Sequence, residues 1–223
     1  MTEPFIKICG ITNEPDALLS VGLGATALGF IFAPSKRNVT EMQAGDIIRR
    51  LPDGVMTVGV FRDQPIGDVI EIAANLGLSA VQLHGTESRD DCRFIADQVG
   101  YVIKSFVAGD PEMANFRSYG AKQFLLDGPD PGSGELFDWS IIEGVRDSGA
   151  MILAGGLRPE NIGIAITHLK PFGVDVCSGV EAEPGRKDAL LLRDFINNAK
   201  AAYETVTIRR IDTDDEPYDW GNE

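Results

Sequence analysis

The sequence predicts an α/β protein built as a single (βα)8 TIM barrel, a closed parallel sheet of eight strands. Short β-branched runs alternate with amphipathic stretches from end to end, no linker divides the chain, and 223 residues suit one compact barrel. An open doubly wound sheet is the alternative. Its G-x-G-x-x-G fingerprint is absent after the first strand, where Cys9-Gly10-Ile11-Thr12 leads directly into a helix. The barrel is therefore favoured.

Each predicted strand is a short apolar run followed by a helical pattern. The strands are expected over residues 5–9, 27–32, 55–61, 80–83, 101–106, 123–127, 151–154 and 174–178. Helices are expected over residues 41–51, 66–76, 88–99, 159–169 and 187–203, with Pro159 in a first helical turn. The barrel domain should cover residues 1–203, and residues 204–223 should form a flexible acidic tail.

Composition excludes several classes of function. A net charge of −14 argues against nucleic acid as a partner, because a phosphate backbone requires a basic face. No apolar run is long enough to cross a membrane and no signal pattern begins the chain, so a soluble cytoplasmic protein is expected, as a monomer or homodimer. Three cysteines without a CxxC pair, and only two histidines, indicate neither disulfides nor a metal site.

The first predicted strand ends in a thiol. Strand side chains alternate, so Phe5, Lys7 and Cys9 share one face, and Gly10 then lets the backbone turn sharply. Cys9 would therefore lie at the mouth of the barrel, where active sites of this fold are found. A thiol there is a candidate base or nucleophile, whereas a lone cysteine elsewhere is more often a small buried hydrophobe.

The same alternation predicts an ion pair inside the barrel. In the last strand the valines face the helices, so Asp175 and Cys177 point inward. Barrel closure makes this strand a neighbour of the first, and we expect Lys7 to pair with Asp175 because an unpaired buried ammonium is costly. The positive charge would also lower the pKa of Cys9 from its ordinary value of about 8.5.

A phosphate site is predicted after the last two strands. Gly155 and Gly156 follow one strand and Ser178 and Gly179 follow the next, and glycine-bearing turns expose backbone amides that bind phosphate oxygens. A short extra helix over residues 181–185 would complete the site in the manner common for this fold.

A carboxyl is predicted at another strand end. Asp127 follows the apolar run Phe124-Leu125-Leu126 and suits a general acid, although it could equally be an ordinary turn cap. The glycine- and proline-rich residues 128–134 after it are typical of a mobile loop that closes over substrate, packed down by Phe137 and Trp139, with Asp138 as a helix cap.

Taken together, these segments resemble the phosphoribosylanthranilate isomerase family over roughly residues 5 to 200. The segments that carry the resemblance are Lys7-Ile8-Cys9-Gly10-Ile11-Thr12, Gly29-Phe30-Ile31-Phe32 with Ser35-Lys36-Arg37-Asn38-Val39, Val81-Gln82-Leu83-His84-Gly85, Leu125-Leu126-Asp127, Gly132-Ser133-Gly134 with Phe137-Asp138-Trp139, Leu153-Ala154-Gly155-Gly156-Leu157 with Pro159-Glu160-Asn161, Gly173-Val174-Asp175-Val176, and Ser178-Gly179-Val180-Glu181 with Pro184-Gly185-Arg186-Lys187-Asp188.

The resemblance implies the Amadori rearrangement of N-(5-phosphoribosyl)anthranilate in tryptophan biosynthesis, a small phosphorylated substrate and no metal or cofactor. It implies that Asp127 is the general acid, Cys9 the general base and Arg37 the contact to the anthranilate carboxylate. His84 and Asp175 match positions near the substrate. Three departures are a longer loop after Asp127, Cys177 in place of a small polar residue, and the acidic tail.

Two other interpretations remain open at this point. One is the related sugar isomerase of histidine biosynthesis, which acts on a larger bis-phosphorylated substrate with two aspartates, whereas this chain has Cys9 at the first position. The other is a phosphate-binding barrel without activity, against which the presence of both Cys9 and Asp127 speaks.

Overall fold

The computed structural model describes residues 4–128 and 149–207 of the chain. Within these ranges eight parallel strands close into a barrel, each hydrogen-bonded to the next and the eighth to the first. The strands are β1 (Phe5–Cys9), β2 (Ala27–Ile31), β3 (Met56–Phe61), β4 (Ala80–Leu83), β5 (Val102–Val107), β6 (Gln123–Asp127), β7 (Met151–Leu153) and β8 (Gly173–Val176). The predicted fold class is confirmed.

Helices pack around the outside of the barrel. They are α1 (Glu14–Leu23), α2 (Glu41–Ile48), α3 (Ile66–Leu76), α4 (Arg89–Val99), α5 (Ile162–Leu169) and α6 (Ala189–Thr205). Most begin at a polar cap that the sequence supplies: Thr40 and Gln43 form a capping box on α2, and the Asp188 carboxylate accepts from the amides of Leu190 and Leu191 on α6. None of the helices in the described ranges is long and apolar enough to span a bilayer.

The apolar core has two layers. The larger lies between strands and helices, and a smaller cluster fills the barrel, including Ala27, Val58, Ile103, Leu125 and Ile152. The interior residues come from alternate strand positions, as the two-residue period of a strand requires. The barrel is thus packed at its centre, and the polar inward-facing residues are left for its carboxyl end.

Two local predictions were wrong, and between β5 and β6, where no helix bounds were predicted, the chain forms a 3₁₀ helix (Pro111–Tyr119) interrupted by non-helical Asn115. Helix α5 begins at Ile162 and not at Pro159, because the Asn161 side chain accepts from the Arg158 amide and donates to the Gly156 carbonyl, which forms a turn first.

The second error concerns the segment after β8. A 3₁₀ turn (Ser178–Val180) is followed by two short antiparallel strands, β9 (Glu181–Glu183) and β10 (Arg186–Lys187), where a short helix over 181–185 was expected. Pro184 and Gly185 lie between the two strands, and Gly185 has a φ of 85°, which favours a hairpin turn over a helix. The predicted mobile loop with Phe137, Asp138 and Trp139, and the tail from residue 208, lie outside the described residues.

Candidate active site

The carboxyl ends of β1 and β8 bring together the thiol, lysine and aspartate that the sequence singled out. The register of β1 and β8 places Lys7 beside Asp175, and Lys7 Nζ lies 2.8 Å from Asp175 Oδ1. The predicted ion pair is confirmed. Gly29 on β2 makes room for it: a Cβ at residue 29 would lie 2.9 Å from Cys9 Sγ and 3.0 Å from Lys7 Nζ.

The groups around Cys9 favour the thiolate form of its side chain. The Cys177 side chain donates a hydrogen bond to Cys9 and lowers the pKa of the Cys9 thiol well below its ordinary value. Burial opposes this shift, but the positive charges of Lys7 and Lys187 add to it. The pKa of Cys177 is raised in turn by the same hydrogen bond and by burial, so this second thiol keeps its proton. These contacts favour the thiolate at residue 9, which is the form of a thiol that can act as a base.

The same group of charges affects the pKa of Asp175. Burial raises its pKa to about 6, and Lys7 acts in the opposite direction. The negative charges of Cys9 and Asp127 also raise the pKa of Asp175. Asp175 therefore lies within electrostatic reach of both the candidate base and the candidate acid.

Asp127 ends β6 on the same opening of the barrel. One of its carboxylate oxygens accepts from the Gly128 amide at 2.8 Å. The other lies 3.6 Å from His84 Nε2, and Nδ1 of that ring lies 3.0 Å from the Gln82 amide nitrogen. A cleft of about 400 Å³ runs over the ends of β4 to β6 and is lined in part by His84, Ser105 and Asp127. The carboxyl is thus fixed at the edge of a space that can admit a ligand.

The glycine turns after β7 and β8 are in contact. Gly155 and Gly156 have φ values of 78° and 64°, in the left-handed region that favours glycine. A Cβ at Gly179 would lie 1.8 Å from the Leu157 carbonyl oxygen, so the turn after β8 packs directly on the turn after β7. The two turns that carry the residues predicted to bind phosphate are therefore adjacent.

Arg37, after β2, lies at the same opening on the side of Cys9. Its guanidinium forms a forked ion pair with Glu181, with Nη2 2.7 Å from Oε2 and Nε 2.9 Å from Oε1. Its stem packs over Gly10, where a Cβ would lie 2.8 Å from Arg37 Cδ and 2.9 Å from Cys177 Sγ. Gly10 is therefore required for the approach of Arg37 to the thiols.

Sequence reasoning assigned no role to Glu181 or Lys187. Lys187 is buried, and its Nζ lies 2.7 Å from the Cys9 carbonyl oxygen, 3.1 Å from the Cys177 carbonyl oxygen and 3.1 Å from Glu181 Oε1. The sequence showed only that Glu181 and Lys187 lie on opposite sides of the Pro184-Gly185 turn. In the part of the chain that the structure describes, no three His, Cys, Asp or Glu side chains form a group that could hold a metal ion.

A thiol, two carboxyls and an arginine around the mouth of a (βα)8 barrel, beside a glycine-rich double turn, define an enzyme of the barrel class that acts on a small anionic molecule. The family model described as N-(5'phosphoribosyl)anthranilate (PRA) isomerase matches residues 6–198. The chain belongs to this family and is an isomerase of tryptophan biosynthesis.

Relatives and solved structures agree with this family. N-(5'-phosphoribosyl)anthranilate isomerase of Pelobacter propionicus is 44% identical over 200 residues, covering 87% of this chain and 95% of the relative. The Thermotoga maritima enzyme is also 44% identical over 200 residues, covering 87% of this chain and 98% of that protein. A crystal structure of phosphoribosyl anthranilate isomerase in complex with reduced 1-(o-carboxyphenylamino)-1-deoxyribulose 5-phosphate has a TM-score of 0.80 at 43% identity, covering 89% of this chain and 100% of that one.

Proposed function

We propose that this isomerase converts N-(5-phosphoribosyl)anthranilate to 1-(2-carboxyphenylamino)-1-deoxyribulose 5-phosphate with Asp127 as general acid and Cys9 as general base. The observation that carries the assignment is that both groups lie on one opening of the barrel, each close enough to Asp175 to affect its ionisation. An acid and a base on one substrate surface are what a proton-shifting rearrangement requires.

The chemistry divides into two proton transfers. Asp127 gives its proton to the furanose ring oxygen, and the ring opens to an iminium between C1 and the anthranilate nitrogen. Cys9 then takes the C2 proton, which the iminium has made acidic, and an enolamine forms. Tautomerisation of the enolamine gives the C2 ketone, so the atoms of substrate and product balance without an external oxidant or reductant.

The remaining residues hold the substrate in this proposal. Arg37 binds the anthranilate carboxylate by charge-assisted hydrogen bonds. The backbone of Gly155, Gly156, Ser178 and Gly179 binds the phosphate, because left-handed glycines leave amides that can converge on an anion. His84 lies near Asp127 and contacts the substrate, while Asp175 both pairs with Lys7 and faces the ligand.

The setting of the enzyme is also part of the proposal. We place it in the cytoplasm, as a monomer or homodimer. Among the structural relatives is one described as monomers generated from the dimeric isomerase of Thermotoga maritima, with a TM-score of 0.80. Residues 1–203 would form the barrel domain, with residues 204–223 as a tail.

A steady-state assay tests the function. The purified protein should turn over phosphoribosylanthranilate, followed by the change in anthranilate fluorescence. It should not turn over the bis-phosphorylated substrate of the related isomerase of histidine biosynthesis at a comparable kcat/KM. Preference for the larger substrate, or no turnover of either, would contradict the proposal.

A further inference from the structure

A continuous row of charges, two of them buried, runs from Arg37 to the backbone of Cys9. We call Arg37, Glu181 and Lys187 the charge row. Glu181 is at its centre: it accepts from Arg37 Nε at 2.9 and 3.0 Å and from Nη2 at 2.7 Å, and Lys187 Nζ lies 3.1 Å from its Oε1. The Glu181 side chain is only 4% exposed. Both of its oxygens are therefore engaged by cations.

The ionised form of Glu181 is held by this arrangement. Burial alone would raise its pKa, but the hydrogen bond from Arg37 and the charge and hydrogen bond of Lys187 together lower it. A buried carboxylate with two cationic partners is satisfied, whereas removing the carboxylate would leave a buried ammonium without its counter-charge. The site thus keeps a full negative charge that is not directed at substrate.

Lys187, at the far end of the charge row, contacts the backbone of Cys9. Lys187 Nζ donates to the carbonyl oxygen of Cys9 at 2.7 Å and to that of Cys177 at 3.1 Å. Lys187 therefore fastens the β9–β10 hairpin to the ends of β1 and β8. Its charge is also one of the causes of the lowered pKa of Cys9.

At the near end of the charge row, Glu181 restricts the orientation of Arg37. A guanidinium has five N–H donors in one rigid plane, and Glu181 accepts from those on Nε and Nη2. Holding one edge of the plane fixes where the other N–H groups point. A long side chain with many rotamers would otherwise lose more conformational entropy each time it bound a carboxylate.

We propose that Glu181 is a positioning residue of the isomerase, which orients Arg37 for the carboxylate of the aromatic amine and links it through Lys187 to the strand ends that carry Cys9. This inference rests on the proposed function, because it needs an anionic substrate group at Arg37. Glu181 itself touches neither substrate nor the reacting atoms.

The test compares Glu181→Gln with Glu183→Gln. Both variants lose one carboxylate from the same hairpin strand, but Glu183 is exposed and pairs only with exposed Arg186 among the described residues. For Glu181→Gln we expect KM for phosphoribosylanthranilate to rise about tenfold, the loss of roughly one charge-assisted hydrogen bond, with kcat within about threefold of wild type. Glu183→Gln should match wild type in both constants.

A substrate without the carboxylate separates positioning from a general structural effect. With the phosphoribosyl adduct of aniline, kcat/KM of Glu181→Gln should equal that of wild type, because Arg37 then has no group to bind. An equal loss on both substrates would contradict the proposal. So would an unchanged or lowered KM for phosphoribosylanthranilate, which would mean that Glu181 competes with the substrate for Arg37.

A second variant covers the case in which Glu181→Gln does not fold. Glu181→Asp keeps the charge beside Lys187 but is one carbon shorter, so it should fold and still raise KM. Failure of both variants to fold would assign Glu181 a purely structural role and overturn the proposal. Wild-type protein without turnover would overturn the proposed function and this inference with it, whereas active wild type with unchanged KM in Glu181→Gln would overturn this inference alone.

Discussion

Lys7 and Asp175 form an ion pair inside the barrel, with Nζ 2.8 Å from Oδ1 and the lysine side chain fully buried. They are register partners on β1 and β8, so barrel closure itself brings them together. The carboxylate raises the pKa of Lys7 above its ordinary value, despite burial that acts in the opposite direction. The Lys7 ammonium thus lies two residues before Cys9 on the same face of β1. Its positive charge favours the thiolate form of Cys9.

Asp175 should give the protein a measurable pH dependence of stability. Its folded pKa of about 6 lies above the ordinary value of 3.8, chiefly because it is buried. A group with a raised folded pKa contributes stability that is fully present below its unfolded pKa and is lost as the pH rises through its folded pKa. Between about pH 4 and pH 7 the contribution of this carboxyl to stability should therefore fall by on the order of 2 kcal/mol.

Urea unfolding of wild type and Asp175→Asn across this pH range measures that loss, since the carboxylates distant from residue 175 titrate alike in both proteins. As the pH rises from 4 to 7, the unfolding free energy of wild type should fall relative to that of the variant. A difference that stays constant with pH would mean that Asp175 is not the source.

Cys177 should set the ionisation of the base. Its hydrogen bond is the largest cause of the lowered pKa of Cys9, so Cys177→Ala should move the acid limb of the pH profile of kcat/KM to higher pH. Cys177→Ser keeps an O–H donor and should move the limb much less. Cys92→Ala is the matched control, because Cys92 is buried on α4 and should leave the profile unchanged. Equal shifts in the Ala and Ser variants would assign the effect to packing instead.

The sequence was sufficient to predict the barrel and its inward-facing residues. Both follow from periodic patterns in the sequence, namely the two-residue alternation of strands and the repeat of strand and helix. That is why the Lys7–Asp175 pair could be predicted from the sequence. The hairpin at residues 181–187 could not, since Glu181 and Lys187 are recognisable as partners only once the chain folds back over the end of β1. Cys177 was expected inward, but its donation to Cys9 depends on side-chain geometry that periodicity does not specify.

The two proposed proton-transfer groups predict a clear loss of turnover. Cys9→Ala and Asp127→Asn should each lower kcat by roughly 10² to 10⁴, the range that general acid–base catalysis contributes. Circular dichroism and thermal unfolding check that folding is intact. Near-normal kcat in either folded variant would remove that residue from its assigned role, while retention of activity in Cys92→Ala would show that the effect is specific to the thiol at the barrel mouth.

Gly155 should be required for the placement of Asp127, the proposed general acid. A Cβ at this residue would lie 2.4 Å from the Gly128 amide nitrogen and 2.8 Å from Asp127 Oδ1, and the φ of 78° disfavours any L side chain. Gly155→Ala must therefore push Asp127 and its hydrogen-bonded amide aside. A displacement of about 1 Å in a catalytic group can cost about 100-fold in rate, so kcat should fall by up to this factor.

Gly163→Ala is the matched control for that substitution. Gly163 lies in α5, a Cβ there would meet nothing within 4 Å, and alanine is favoured over glycine in a helix by about 0.5–1 kcal/mol. This variant should keep wild-type kcat and unfold at a slightly higher urea concentration. If Gly155→Ala also kept wild-type kcat, the close contact between the turn after β7 and Asp127 would have no part in catalysis.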